Sequence, residues 1–412
     1  MRPPGRRAPR HRRRARRRGR PPRARRHTPA SHVMNRRNPR PTASRSLDIA
    51  FFGSSLVSAY WNGAATYYRG ILRALAARGH RITFHEPDAY DRQKHRDIED
   101  PPWARVVVYS GTDPAEPRRL VEQARSADVV VKASGVGVFD ELLEAEVAAL
   151  DRPGLTTIFW DVDAPATLER VRAAPSDPFR AQIPRFNLVF TYGGGDPVVR
   201  GYEALGARRC APIYNALDPE THFEVAPGPR FHCDFALLAN RLPDRERRVE
   251  EFFLRPAAAL PGLRFLLGGS GWQDKVMPPN VRYVGHVYTA DHNALNASAR
   301  AVLNVARDSM ASVGFSPATR VFEAAGAAAC LVTDAWEGIE LFLEPGREVL
   351  VARSGDDVVE ILRALTPERA RAIGRAAKQR VLAGHTYAER ARQVEALLAR
   401  PDGATLTAIA PP

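Results

Sequence analysis

The sequence predicts an α/β fold of two βα domains in series, each a parallel sheet covered by helices, behind an arginine-rich tail. Three observations carry this. From Leu47 onward, short runs rich in Val, Ile, Leu and Phe alternate with helical periodicity. Those runs are nearly continuous in apolar residues, as strands covered by helices on both faces must be. The alternation lapses once, among Pro219, Pro227, Gly228 and Pro229, and then restarts. A chain of 412 residues is also too long for one ordinary core and suits two or three domains.

The elements follow in order. Residues 47–52 form the first strand, and a glycine-bearing turn follows it. Tyr67, Tyr68, Ile71, Leu72, Leu75 and Ala76 then recur at helical spacing, and Gly79 stops that helix as a C-cap. Strands over 81–86, 106–109, 129–132, 156–160 and 187–192 continue the series, with helices near 116–125, 139–150 and 197–205. After the lapse, strands fall at 233–238, 264–268, 281–284, 301–304, 330–333 and 348–351. Helices fall near 244–254, 317–326, 355–364 and 367–382, and a last amphipathic segment covers 387–399. The domains read as a tail at 1–46, a first domain at 47–225, a second at 226–385 and a closing segment at 386–412.

The formal charge of +15 suggests a nucleic-acid binder until its distribution is examined. Residues 1–46 hold 18 arginines and no acid, which leaves 43 basic against 46 acidic residues elsewhere, a net of −3. The tail cannot bury apolar surface and is expected to be disordered. It lacks stacking aromatics, so no nucleic-acid partner is expected, and translation is expected to start at Met34 or nearby. It is no secretory signal, because no apolar stretch follows its charges, and no run is long enough for a transmembrane segment. Three widely spaced cysteines (Cys210, Cys233, Cys330) in apolar surroundings read as buried thiols in a reducing cytoplasm.

Ligands of open α/β sheets gather beyond the carboxyl ends of the strands, so the loops there are the candidate sites. Gly269, Ser270 and Gly271 follow a strand and suit a backbone approach to phosphate, or an ordinary tight turn. Ser316 before Pro317 reads as an N-cap whose helix start offers free N–H groups to a pyrophosphate. Arg320 and Glu323 lie one turn further on, neighbours on one helix face. Asp334 ends a strand and either grips sugar hydroxyls or caps a helix. In the first half, Ser54, Asn62 and Gly63 flank the first turn. Asp161 and Asp163 just pass a strand and share a face if extension persists. One is a candidate general base, and Asp163 is the better placed to cap the next helix. The histidines show no zinc-motif spacing, so no metal is expected.

The stretch from Val284-Gly285-His286-Val287 through Asn304, Arg307-Asp308-Ser309 and Arg320 to Gly326, then Thr333-Asp334, resembles the bacterial spore-maturation (CgeB-type) glycosyltransferase family. Trp336-Glu337-Gly338 and Glu344 to Glu348 resemble it too, and the likeness covers roughly 231–399. Asn62-Gly63, Arg69-Gly70 and Arg78-Gly79-His80 are similar to the amino-terminal domain found with it.

The resemblance implies the GT-B architecture, two Rossmann-like domains facing across a cleft, and a glycosyltransferase. A nucleotide-sugar donor would sit in the second domain and an unidentified acceptor mainly in the first. No metal or other cofactor is required, with Arg307 and Arg320 as the cations that neutralise the leaving diphosphate. It places Glu323 on the donor ribose. Phe315 stands where the first glutamate of a Glu-x7-Glu pattern would be, which leaves the stereochemical outcome open. It also implies that the last helix packs back across the first domain. Two rival classes share this architecture: a sugar-nucleotide epimerase or hydrolase, and a nucleotide-sugar binding protein with a decayed site.

Overall fold

The computed structural model describes residues 45–400; the expectations for residues 1–44 and for the last twelve residues lie outside them. Strand β1 (Asp48–Phe52) shows why the first half builds a sheet. Its side chains alternate, Ile49 and Phe51 into one core layer and Ala50 and Phe52 into the other, so both faces must be covered. Around it stand β2 (Arg81–Asp88), β3 (Ala104–Ser110), β4 (Val129–Ala133), β5 (Thr156–Asp161), β6 (Leu188–Thr191) and β7 (Cys210–Pro212). All pair in parallel in the order β3-β2-β1-β4-β5-β6-β7. The helices on its faces are α1 (Ala65–Ala77), α2 (Ala115–Ala124), α3 (Asp140–Ala148), α4 (Ala164–Ala173) and α5 (Gly195–Ala204).

The second sheet repeats the plan with β8 (Cys233–Leu238), β9 (Phe265–Gly268), β10 (Val281–Tyr283), β11 (Ala299–Asn304), β12 (Leu331–Asp334) and β13 (Leu350–Ala352). Its parallel order is β10-β9-β8-β11-β12-β13. The helices are α6 (Pro243–Val249), α7 (Arg255–Ala259), α8 (Thr289–Ser298), α9 (Asp308–Val313), α10 (Thr319–Gly326), α11 (Gly355–Ala364), α12 (Pro367–Gly384) and α13 (Tyr387–Leu398). Each sheet reverses its winding once, between β1 and β4 and between β8 and β11, and a doubly wound sheet opens a crevice there.

The chain returns to the first lobe at its end. Tyr387, at the start of α13, lies against Gly70 of α1 so closely that an added Cβ would sit 2.1 Å from its ring. Arg78 donates to both carboxylate oxygens of Glu395, at 2.7 and 2.6 Å. Gly79 ends α1 with φ +96°, donating to the Ala76 carbonyl at 2.9 Å; the left-handed turn favours glycine there.

Three helices and a strand were not placed by the sequence reading, and one expected helix differs in extent. The three-residue β7 is too short for any periodicity. Helix α8 carries Asp291, His292, Asn293 and Asn296, poor helix formers that hide its pattern, and α9 has only six residues. Helix α4 begins with Pro165 in its first turn, so its start was legible while its extent was not. The helix expected over 244–254 runs on to Ala259 in three pieces, α6, a wider π turn at Glu250–Leu254, and α7.

Candidate active site

Both sheet crevices open on one cavity of about 740 Å³ between the two lobes. From the first crevice come Ser54 and the Trp61–Ala64 turn after β1, and Ser134 and Gly135 after β4. From the second come Leu242 and Arg245 after β8 and Arg307 after β11, joined by Ala318 and Thr319 at the start of α10. The topology therefore converges two independent ligand-binding positions on the same space.

On the first-lobe wall, buried Asn62 fixes the turn after β1. Its amide donates to the carbonyls of Ser55 and Ser58, both at 3.0 Å, and accepts from the Ser54 hydroxyl at 2.9 Å. The left-handed residue of this turn is Trp61 (φ 48°). Trp61 is half exposed and stands at the cavity wall, with Gly63 beside it. Arg92 donates to the carbonyls of Ser54 and Val136, at 3.2 and 3.3 Å, tying the two loops of this crevice together.

Asp161 and Asp163 do not share a face, because β5 ends at Asp161 and the chain turns into α4. The Asp161 carboxylate is fully buried and accepts from the Asp163 amide at 2.9 Å, the Thr167 hydroxyl at 3.2 Å and the Tyr202 hydroxyl. It braces the start of α4 and does not border the cavity. Asp163 occupies the N-cap position without a side-chain cap bond. Its carboxylate instead reaches across the cleft to Arg307, while Oδ1 is buried without a partner. Burial pushes the Asp163 carboxyl above its usual range, against the pull of Arg307.

On the second-lobe wall, Arg307 pairs with both Asp163 and Asp244. Arg245 lies close to it, and its Nε has no hydrogen-bond partner. Burial lowers the Arg245 pKa, and the neighbouring Arg307 charge adds to that. Asp334, expected to grip a sugar or cap a helix, caps no helix. It is buried, paired with Arg248, and accepts from the Ala306 amide at 3.0 Å, which fixes the backbone just before Arg307.

Ser316 is not an N-cap. The helix begins at Thr319 after Ala318, and the Ser316 hydroxyl donates to the Gly314 carbonyl at 2.9 Å. Its loop instead meets the first lobe, where the Gly194 amide donates to the Phe315 carbonyl at 2.8 Å. The helix start still faces the cavity through Ala318 and Thr319.

Gly269, Ser270 and Gly271 lie beside the cavity wall rather than on it. A Cβ at Gly269 would sit 2.1 Å from the Ala239 carbonyl oxygen. The Arg241 amide donates to the Ser270 carbonyl and the Ser270 amide to Asn240, both at 2.9 Å. The loop thus supports the 239–242 segment leading to Arg245.

Glu323 and Arg320 also stand off the cavity. Their pair is a buried one, at 3.3 Å, and not the exposed helix-face pair that the spacing alone permits. Burial would raise the Glu323 carboxyl, but Arg320, His222 and His292 hold it down to about 2.

Residues that sequence reading missed are Arg245, Arg92 and Asn215. Asn215 donates to the Pro317 carbonyl at 2.8 Å and leaves its Oδ1 buried and unpartnered at the cavity. Only the placement of Arg245 two residues after a proline-led helix start hinted at it. All three cysteines are free and buried. Among the described residues no helix is long and apolar enough to cross a membrane.

Residues 245–396 match the family model described as glycosyl transferase-like. The fold is similar to that of sucrose-phosphate synthase from Thermosynechococcus elongatus, with a TM-score of 0.62 at 13% identity, over 85% of this chain and 98% of that one. It is also similar to Anabaena HepE in complex with UDP-glucose (TM-score 0.60, 14% identity, 86% and 99% covered). The lipopolysaccharide outer core galactosyltransferase WaaB, in its apo form, gives a TM-score of 0.55 at 13% identity, with 86% and 99% covered. No curated protein matches the sequence significantly. The described chain therefore has the two-sheet GT-B fold and carries a glycosyltransferase-like domain.

Proposed function

We propose that the protein transfers a sugar from a nucleotide-sugar donor to an acceptor bound against the first lobe, as a member of the CgeB-type branch whose motifs its second half resembles. One observation carries the reading. Arg245 and Arg307 converge at the second sheet's crevice, one with an unpartnered donor, beside a helix start that favours anions. Such a site suits the diphosphate of a sugar nucleotide and stabilises the charge that develops as the glycosidic bond breaks.

Arg307 holds the diphosphate in this mechanism, leaving Asp163 free to accept a proton from the acceptor hydroxyl. The raised carboxyl pKa of Asp163 suits a base, and Trp61 offers an aromatic face to the acceptor. The buried thiols favour a reducing compartment, the cytoplasm.

Thermal-shift screening of nucleoside diphosphates and nucleotide sugars tests the donor reading, since specific ligands of the native state raise Tm by mass action. UDP and UDP-glucose are the first probes, because HepE is known in complex with the latter. A sugar nucleotide that raises Tm and is consumed only when acceptor is added supports transfer. Consumption without acceptor overturns it in favour of hydrolysis or epimerisation, and no shift with any nucleotide removes the donor site.

A further inference from the structure

We propose that His222, His292 and Glu323 form a binding site for a divalent transition-metal ion, with zinc preferred by its two imidazoles and one carboxylate. The three come from separate parts of the chain: the segment joining the sheets, α8 and α10. No sequence spacing announces them, which is why no metal was expected from the sequence.

Their ligand atoms all lie within 4.8 Å of one another. An ion at the centre of such a triangle is at most about 2.8 Å from each (4.8 Å divided by √3). Zinc–nitrogen bonds are about 2.0–2.1 Å long, so each group closes by about 0.7 Å or less, a small side-chain rotation.

The surroundings fit as well. His292 Nε2 lies 3.3 Å from the Val287 carbonyl, which can only accept, so the proton sits on Nε2 and the lone pair on Nδ1. Nδ1 is buried with no partner, as is His222 Nε2. His222 Nε2 is 4.0 Å from Glu323 Oε1, with both side chains sealed from solvent. Arg320 Nη1 stands 3.3 Å from the other oxygen, Oε2, leaving Oε1 for the ion. A histidine held by a backbone carbonyl and a carboxylate held by a second group are the outer contacts that orient metal ligands. Three protein ligands leave one tetrahedral position for water. Bound there, the ion ties the inter-sheet segment to α8 and α10.

None of the three lines the cavity at the Arg245–Arg307 wall, so the diphosphate seat can fail without the metal site, and the reverse. A metal and a ribose hydroxyl cannot share Glu323 Oε1, which makes the resemblance's role for Glu323 the competing outcome.

The test uses the full chain, stripped with chelator and titrated with zinc against a chromogenic competitor. Cobalt substitution reports geometry through the intensity of its visible bands. One zinc per chain, strong tetrahedral cobalt bands and a raised Tm are expected. His222→Ala and His292→Ala should each weaken zinc about a hundredfold or more, and Arg320→Gln about 10–100-fold as an outer partner. His222→Gln and His292→Gln, with circular dichroism, guard against a mere loss of folding. Wild-type protein that takes up less than one equivalent at excess zinc overturns the site. So do folded variants that keep their zinc. If those variants instead weaken UDP binding in a protein that holds no zinc, the cluster belongs to the ribose.

Discussion

Arg307→Ala and Asp163→Asn should change nucleoside diphosphate binding in opposite directions. The two side chains pair across the cleft, each 29% exposed. A pair in that setting contributes about 0.2–1 kcal/mol, and it must open for Arg307 to face a diphosphate. An arginine–phosphate hydrogen bond contributes about 1.5–3 kcal/mol. Arg307→Ala should therefore weaken UDP binding about 10–100-fold. Asp163→Asn removes one of the two carboxylates that hold Arg307 and should tighten UDP binding by up to about fivefold, while lowering transfer if Asp163 is the base. Isothermal titration with UDP measures both, and in the Arg307→Ala background Asp163→Asn should have no effect on binding. Variants that shift affinity in the same direction, or not at all, would refute the diphosphate seat.

Three further outcomes follow from the packing. His85 and His385 are buried, and burial pushes their pKa down to about 4 and about 3. The unfolded chain binds these protons first, so stability present above about pH 6.5 is lost as pH falls toward 4, at about 1.4 kcal/mol per unit per group. His85→Phe keeps the stack on Phe52, whose ring centroid is 4.4 Å away, and should flatten the fall in urea midpoint between pH 7 and 4.5; an unchanged slope removes His85 from the account. Gly70→Ala drives a methyl into the Tyr387 ring and should cost about 1–3 kcal/mol by overpacking, read from denaturant unfolding; no loss would mean that α13 does not seat on α1. Trp61→Ala should raise the acceptor KM and leave UDP affinity unchanged, and a loss of UDP affinity would move the acceptor wall.

The sheets were legible because strands buried on both faces write themselves as apolar runs. Phe51-Phe52 and Val129-Val130-Val131 need no context to be read. Gly79 was legible because a helix stop demands a left-handed residue. A strand end put Asp163 beside the cavity, whereas Arg307 came only from the family resemblance. Asp161 and Asp334 carry the same local signature as Asp163, a carboxylate at a strand end, yet they are buried braces. What separates them is the partner across the fold, Tyr202 for one and Arg248 for the other, and neither partner is near in sequence. Ser316 misled for a related reason. A serine before proline caps a helix only if the chain turns helical at once; here Phe315 and Ser316 meet the Gly193–Gly195 turn of the other lobe, and the helix starts only at Thr319. The His222, His292 and Glu323 cluster was invisible because its spacing is set by how α8 and α10 lie over the sheet.

The same contacts say where the lobes can move. The chain crosses between them twice, side by side, where the Leu217 amide donates to His385 and the Tyr387 amide to Leu217, at 2.8 and 3.0 Å. Two adjacent backbone strands bonded to each other bend together and resist sliding, so this edge of the cleft is the natural hinge. Away from that edge the lobes meet through the Gly194–Phe315 backbone bond, the Asp163–Arg307 ion pair, the Thr289 hydroxyl on Asp97 at 3.4 Å, Tyr192 against Met310, and Val313 on the first-lobe core. The ion pair borders the cavity, so a ligand that competes for Arg307 removes one of these contacts. Opening and donor binding are then coupled in part through that guanidinium, because the residue proposed to neutralise the diphosphate is also one of the groups that hold the lobes together.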